Sequence, residues 1–123
     1  MSASFPRILN KRKGSPPALP GETVIDIDRT NPVLGNRHVL IDANNKIQRR
    51  DVIDLFTEDL QRDLRIQGPM HQSILDIAAR VTKGERIALR CWCAPKPCHG
   101  DVILACVARA AGIEPPGLFS GLC

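Results

Sequence analysis

The sequence predicts a single α/β domain built on a small, mainly parallel, Rossmann-like sheet flanked by helices. The run Thr23-Val24-Ile25-Asp26-Ile27-Asp28 alternates apolar and polar residues and is rich in β-branched side chains, as a strand is. The apolar run Ile87-Ala88-Leu89 reads as a short buried strand and leads through a loop into Val102-Ile103-Leu104-Ala105-Cys106-Val107-Ala108, whose spacing is helical. Two further helical stretches lie between those strands. At 123 residues the chain suffices for one domain with a thin core that needs no covalent staple.

In chain order, residues 1–22 hold Arg7, Lys11, Arg12 and Lys13 followed by Gly14-Ser15-Pro16-Pro17-Ala18-Leu19-Pro20-Gly21, which predicts a basic arm and linker ahead of a domain over 23–123. The first strand ends in the polar loop Arg29 to Asn36. His38-Val39-Leu40-Ile41 and Lys46-Ile47-Gln48, separated by Asp42-Ala43-Asn44-Asn45, suggest a small hairpin or an irregular excursion. From Asp51, which can cap the start, Val52, Ile53, Phe56, Leu60 and Leu64 form a helical stripe that Gln67-Gly68-Pro69 breaks. Ile74, Leu75, Ala78 and Val81 mark a second helix with Ser73 near its start and Gly84 after its end. A strand over Ile87 to Cys93 and a helix from Asp101 to about Ala111 complete the domain. The tail from Pro115 to Cys123 reads as irregular.

Three of the five cysteines and one of the three histidines fall in Leu89-Arg90-Cys91-Trp92-Cys93-Ala94-Pro95-Lys96-Pro97-Cys98-His99-Gly100-Asp101. This loop joins a strand to a helix, the place where open α/β sheets hold their ligands and where helix N–H groups favour anions. Pro95 and Pro97 stiffen it. If the two strands are parallel neighbours, Arg29, Asn31 and Asn36 approach the cysteine loop. Trp92 is expected to pack under the loop, and Cys106 in the core.

Three chemistries suit the cluster. A cysteine beside a helix N-terminus and near Lys96 or a protonated His99 favours its thiolate, making Cys93 or Cys98 a nucleophile with His99 moving the proton and Asp101 orienting it. The strand–cysteine–loop–helix layout is similar in topology to the anion cradles of rhodaneses and cysteine phosphatases, but His99 stands where their pattern, counted from Cys93, places arginine. Alternatively Cys91, Cys93, Cys98 and His99 are ligand types for zinc, although C-x-C-x4-C-H is not the usual knuckle spacing. In the third reading the cysteines are small hydrophobes in a core. Asp101 also fits a plain helix cap.

The net charge of +4 and pI near 9 favour an anionic partner. With one tryptophan, three phenylalanines and no tyrosine there is little material for an extended base-stacking platform. No apolar run approaches the roughly 18 residues of a membrane span, and Met1-Ser2-Ala3-Ser4-Phe5-Pro6-Arg7 lacks a signal-peptide apolar region, so the cytoplasm is expected, with reduced thiols.

The cysteine run, preceded by Leu34-Gly35-Asn36, resembles the small phage and bacterial family catalogued as domain of unknown function 4326, over roughly Thr23 to Gly112. Members usually read Gly-Asn-Pro-Phe where this chain has Gly35-Asn36-Arg37-His38. The cysteine loop is also similar to that of the uncharacterised α/β family 488, with its Cys-Glu and Cys-His-Arg elements, which implies a Rossmann-like fold. The first resemblance implies a phage source and a two-loop site, with no reaction attached.

Together these readings give two expectations. One is a domain binding a nucleotide, modified base or other phosphate-bearing ligand, with Arg29, Asn31, Gly35, Asn36, Lys96 and Gly100 holding the ligand and cysteine-dependent catalysis at Cys93, Cys98, His99 and Asp101. The other is a non-enzymatic phage accessory protein that binds nucleic acid or a host protein, its loop structural or zinc-bound. The sequence leaves the oligomeric state open.

Overall fold

A computed structural model describes residues 6–38, 40–42, 44–92 and 96–113. The chain runs β1 (Arg7–Asn10), β2 (Glu22–Asp26), α1 (Lys46–Ile66), α2 (Pro69–Thr82), β3 (Arg86–Cys91) and α3 (His99–Ala110). The strands form one all-parallel sheet in the order β1-β3-β2, so the domain is α/β as predicted. The most apolar strand takes the centre. Ile87, Ala88, Leu89 and Cys91 of β3 are all buried, as an inner strand of a parallel sheet must be.

The register sorts side chains by alternation onto two faces. Ile87, Leu89 and Cys91 join the main core cluster with residues of the three helices, and Ile8 and Ile25 pack against it. The opposite face carries two bidentate ion pairs. Arg7 grips Glu22 at 2.8 and 2.6 Å, reaching across β3, and Arg90 grips its register partner Asp26 at 2.6 and 3.1 Å.

The expected basic arm is partly sheet. Arg7–Asn10 pairs with β3, Leu9 is buried, and Lys11 N continues the ladder onto Cys91 O at 2.8 Å. Arg7 within this four-residue strand and Lys11, Arg12 and Lys13 after it mask its apolar pair Ile8-Leu9, which is why composition pointed to a tail.

Helix α1 starts earlier than expected. Asn45, not Asp51, is its cap, the side chain accepting from Gln48 N at 3.0 Å, so Lys46-Ile47-Gln48 is the first helical turn and no hairpin strand. Ile47 is exposed, which hides that turn from a search for a buried stripe. The helix ends at Gln67 in a left-handed conformation, φ 54°. Gly68 supplies no capping side chain to α2. Instead the Asp63 carboxylate accepts from Met70 N and His71 N at 3.2 and 2.8 Å, close enough that a Cβ on Gly68 would lie 2.6 Å from Asp63 Oδ2. Among the described residues, no helix is long and apolar enough to cross a membrane.

Candidate functional site

Because all three strands run the same way, their carboxyl ends meet at one edge. There β1 delivers Lys11, β2 delivers Asp28 to Thr30, β3 delivers Cys91 and Trp92, and α3 begins at Cys98 and His99. With Arg49, Val52 and Ile53 of α1 and with Asn36, His38 and Leu40, these residues line a cleft of about 450 Å³. Its position is the crevice that parallel α/β sheets offer to ligands.

Asp28 organises one wall. It is only 8% exposed, yet its carboxylate collects four donors: Thr30 N and Oγ1 on Oδ1, and Lys11 Nζ at 2.9 Å and Trp92 Nε1 at 3.0 Å on Oδ2. Burial pushes this carboxyl upward, but the bonds from Thr30, Lys11 and Trp92 more than offset it and hold the group well below the usual aspartate range. Neither Lys11 nor Asp28 stood out in the sequence. Lys11 looked like one charge of a tail, and Asp28 like the polar member of an alternating strand.

Trp92, expected beneath the loop, lies at the rim and is 56% exposed. Its N–H is anchored by Asp28, and Lys11 Nζ sits 5.6 Å from the ring centroid, a cation–π contact. With its edge already bonded, the indole has no need of a buried partner.

The opposite wall is the β3–α3 junction. Cys98 is the N-cap of α3: its Sγ accepts from Gly100 N at 3.3 Å while the Asp101 carboxylate accepts from Cys98 N at 2.9 Å, a reciprocal capping box. The Sγ atoms of Cys98 and Cys91, both buried, are 3.2 Å apart. Gly100 is where helix meets sheet, since a Cβ there would lie 2.7 Å from Ile27 Cδ1 and 3.2 Å from Ile8 Cδ1. His99 is 7% exposed. Its Nε2 lies 2.6 Å from Ile27 O, and because a carbonyl only accepts, that nitrogen carries a proton; the ring meets Phe56 edge-on at 4.9 Å.

The predicted ligand residues divide. Arg29 is exposed on the cleft and Asn36 lines it, with β2 paired parallel to β3. Asn36 also ties loop to helix, donating to Val52 O at 3.0 Å and accepting from His38 N at 2.9 Å. Asn31 shapes its own loop instead, donating to Asp26 O and accepting from Val33 N and Leu34 N. Gly35 sits where a Cβ would lie 2.5 Å from Asp28 O, and it lines a separate hollow with Phe56, Arg62 and Met70. Lys96 reaches out to Asn44 Oδ1 at 3.2 Å. Arg49, unremarked in the sequence, is buried and donates to Pro97 O at 3.1 Å, clamping the cysteine loop to α1.

Cys93 lies outside the described residues, so its proposed roles as nucleophile and ligand do too. Among the described residues no group of three or more His, Cys, Asp or Glu side chains is placed to hold a metal ion. Cys106 is buried on α3 and belongs to the hydrophobic core cluster, as expected.

The architecture thus defines a small parallel α/β domain with a cleft at its strand ends, closed on one side by a cysteine-capped helix. Residues 9–109 match the family described as Domain of unknown function (DUF4326), and the chain belongs to that family. No curated protein and no solved structure matches it.

Proposed function

We propose that the cleft binds a nucleotide or a closely related ligand carrying a flat base and a phosphate. The observation that carries this reading is Trp92: an indole fixed at its edge by Asp28, covered by Lys11 from one side, and exposed at the mouth of a 450 Å³ cleft. A ring held in this way offers a stacking surface at little conformational cost. The phosphate would lie toward Arg29 and Lys11, since guanidinium and ammonium groups at a strand-end crevice suit a phosphate. The first turn of α3 is a weaker phosphate site than the sequence suggested, because Cys98 and Asp101 already occupy its capping positions. Binding, rather than catalysis by Cys98 with His99 and Asp101, is the part of the expectation that this geometry supports best.

Trp92 is the chain's one tryptophan, so its fluorescence reports on the cleft directly. Titration with nucleoside monophosphates and diphosphates is expected to give saturable quenching, with the parent nucleosides binding more weakly. In Arg29→Ala the phosphorylated ligands should lose about tenfold in affinity, roughly 1.4 kcal/mol, while the nucleosides lose little. Absence of saturable quenching and of any thermal stabilisation at millimolar ligand would overturn the reading.

A further inference from the structure

We infer that Cys91 and Cys98 form a two-electron dithiol/disulfide site that reacts with small disulfides entering the cleft. This goes beyond the nucleotide reading and does not rest on it. The two sulfurs are 3.2 Å apart, seven positions apart in sequence, on two rigid elements: Cys91 ends the central strand and Cys98 caps the helix that packs on it. A disulfide needs its sulfurs near 2 Å, so a closure of about 1 Å joins them without moving strand or helix as a whole. Both side chains are buried from the outer surface but line the cleft, which gives a small oxidant one route to them.

The two sulfurs have different surroundings. Gly100 N–H points at Cys98 Sγ, and the first turn of α3 favours negative charge there. Cys98 therefore attacks first. Its thiolate displaces one half of a low-molecular-weight disulfide such as oxidised glutathione, giving a mixed disulfide on Cys98 and releasing one thiol. The Cys91 thiolate then attacks the Cys98 sulfur, forms the Cys91–Cys98 bond and releases the second thiol. Two electrons pass from the pair to the oxidant, and the two protons lost by the cysteines end on the two released thiols. The new bond closes the loop that carries Trp92.

The test uses the full chain in glutathione buffers of graded ratio, followed by alkylation and peptide mapping, with Trp92 fluorescence recorded in parallel. Expected are a crosslink between the Cys91 and Cys98 peptides, its reversal by dithiothreitol, and a fluorescence change that tracks the crosslink. In Cys91→Ala, which leaves the α3 cap in place, a glutathione adduct should persist on Cys98 because the resolving thiol is gone. Three outcomes in the unmodified chain would each overturn the inference: both thiols unreacted in fully oxidised glutathione, a lasting mixed disulfide, or a crosslink from either cysteine to Cys93, Cys106 or Cys123. Because these outcomes are read on the unmodified sequence, they do not depend on whether the variant folds.

Discussion

Trp92 Nε1 donates to Asp28 Oδ2 at 3.0 Å, tying the end of β3 to the end of β2 at the mouth of the cleft. The same oxygen takes Lys11 from the end of β1, so one carboxylate joins all three strand ends. In Asp28→Asn the charge is lost, and Lys11 keeps only a neutral amide there, with the Asp26 carboxylate at 3.9 Å as its remaining ion pair. Urea denaturation should show a loss of about 2 kcal/mol, the size expected for charge-assisted bonds at a buried group. A midpoint equal to that of the original chain would mean that the carboxylate is no tie. Trp92→Phe, which removes one donor and keeps an aromatic ring, should cost about 1 kcal/mol.

Acid should unfold the protein from the sheet edge. Arg7 and the Leu19 N–H hold Glu22 down to about 2 from its ordinary 4.5; Arg90 lowers Asp26, and the donors around Asp28 outweigh its burial. A carboxyl depressed in the folded state contributes stability that is fully present above its unfolded value and is lost as pH falls through its folded value. Stability should therefore be flat with respect to these groups above pH 4.5 and fall from there toward 2, the Glu22 limit. Circular dichroism against pH checks this. In Glu22→Gln the slope between these limits should be shallower; an unchanged slope would assign the acid transition to other groups.

Gly35→Ala should be among the most damaging small substitutions in the chain. The added Cβ would meet two carbonyl oxygens, Asp28 O at 2.5 Å and Asn31 O at 2.6 Å, and backbone cannot rotate away as a side chain can. A loss of about 3 kcal/mol is expected, at the upper end of overpacking costs. Gly100→Ala meets the end of the Ile27 side chain instead and should lose about 1–2 kcal/mol. Thermal melts of the two variants give the order directly, and a more stable Gly35→Ala protein would contradict the loop geometry.

The cap at Cys98 predicts a difference between two substitutions at one site. Serine keeps an acceptor for Gly100 N, whereas alanine removes it and also empties part of a buried site. Cys98→Ser should be more stable than Cys98→Ala by about 1 kcal/mol in chemical denaturation. Equal stabilities would show that the sulfur fills space without capping.

Local pattern was enough where a residue's neighbours in sequence are also its neighbours in space. The stripe of Ile53, Phe56 and Leu60, the break at Gly68-Pro69, and the passage from Leu89 into Val102 were all legible, because helix period and strand alternation are properties of a few consecutive residues. So was the position of the cysteine loop at a strand end, from which the crevice follows by topology. The start of α1 was not. Its first turn carries exposed Ile47 and takes its cap from Asn45 rather than Asp51, so no buried periodicity marks it.

The sequence by itself determined the α/β class, the family, and the cluster of reactive side chains between β3 and α3. Tertiary structure decided which of those residues meet. Strand order β1-β3-β2 places Arg7–Asn10 beside a strand about eighty residues later, turning a basic tail into sheet and carrying Lys11 to Asp28. It also set Cys91 against Cys98, gave Asn31 to its own loop, and put Trp92 at the rim. These pairings join residues far apart in the chain. They are fixed by which strands share a ladder and which faces pack, and no local window of sequence contains that information.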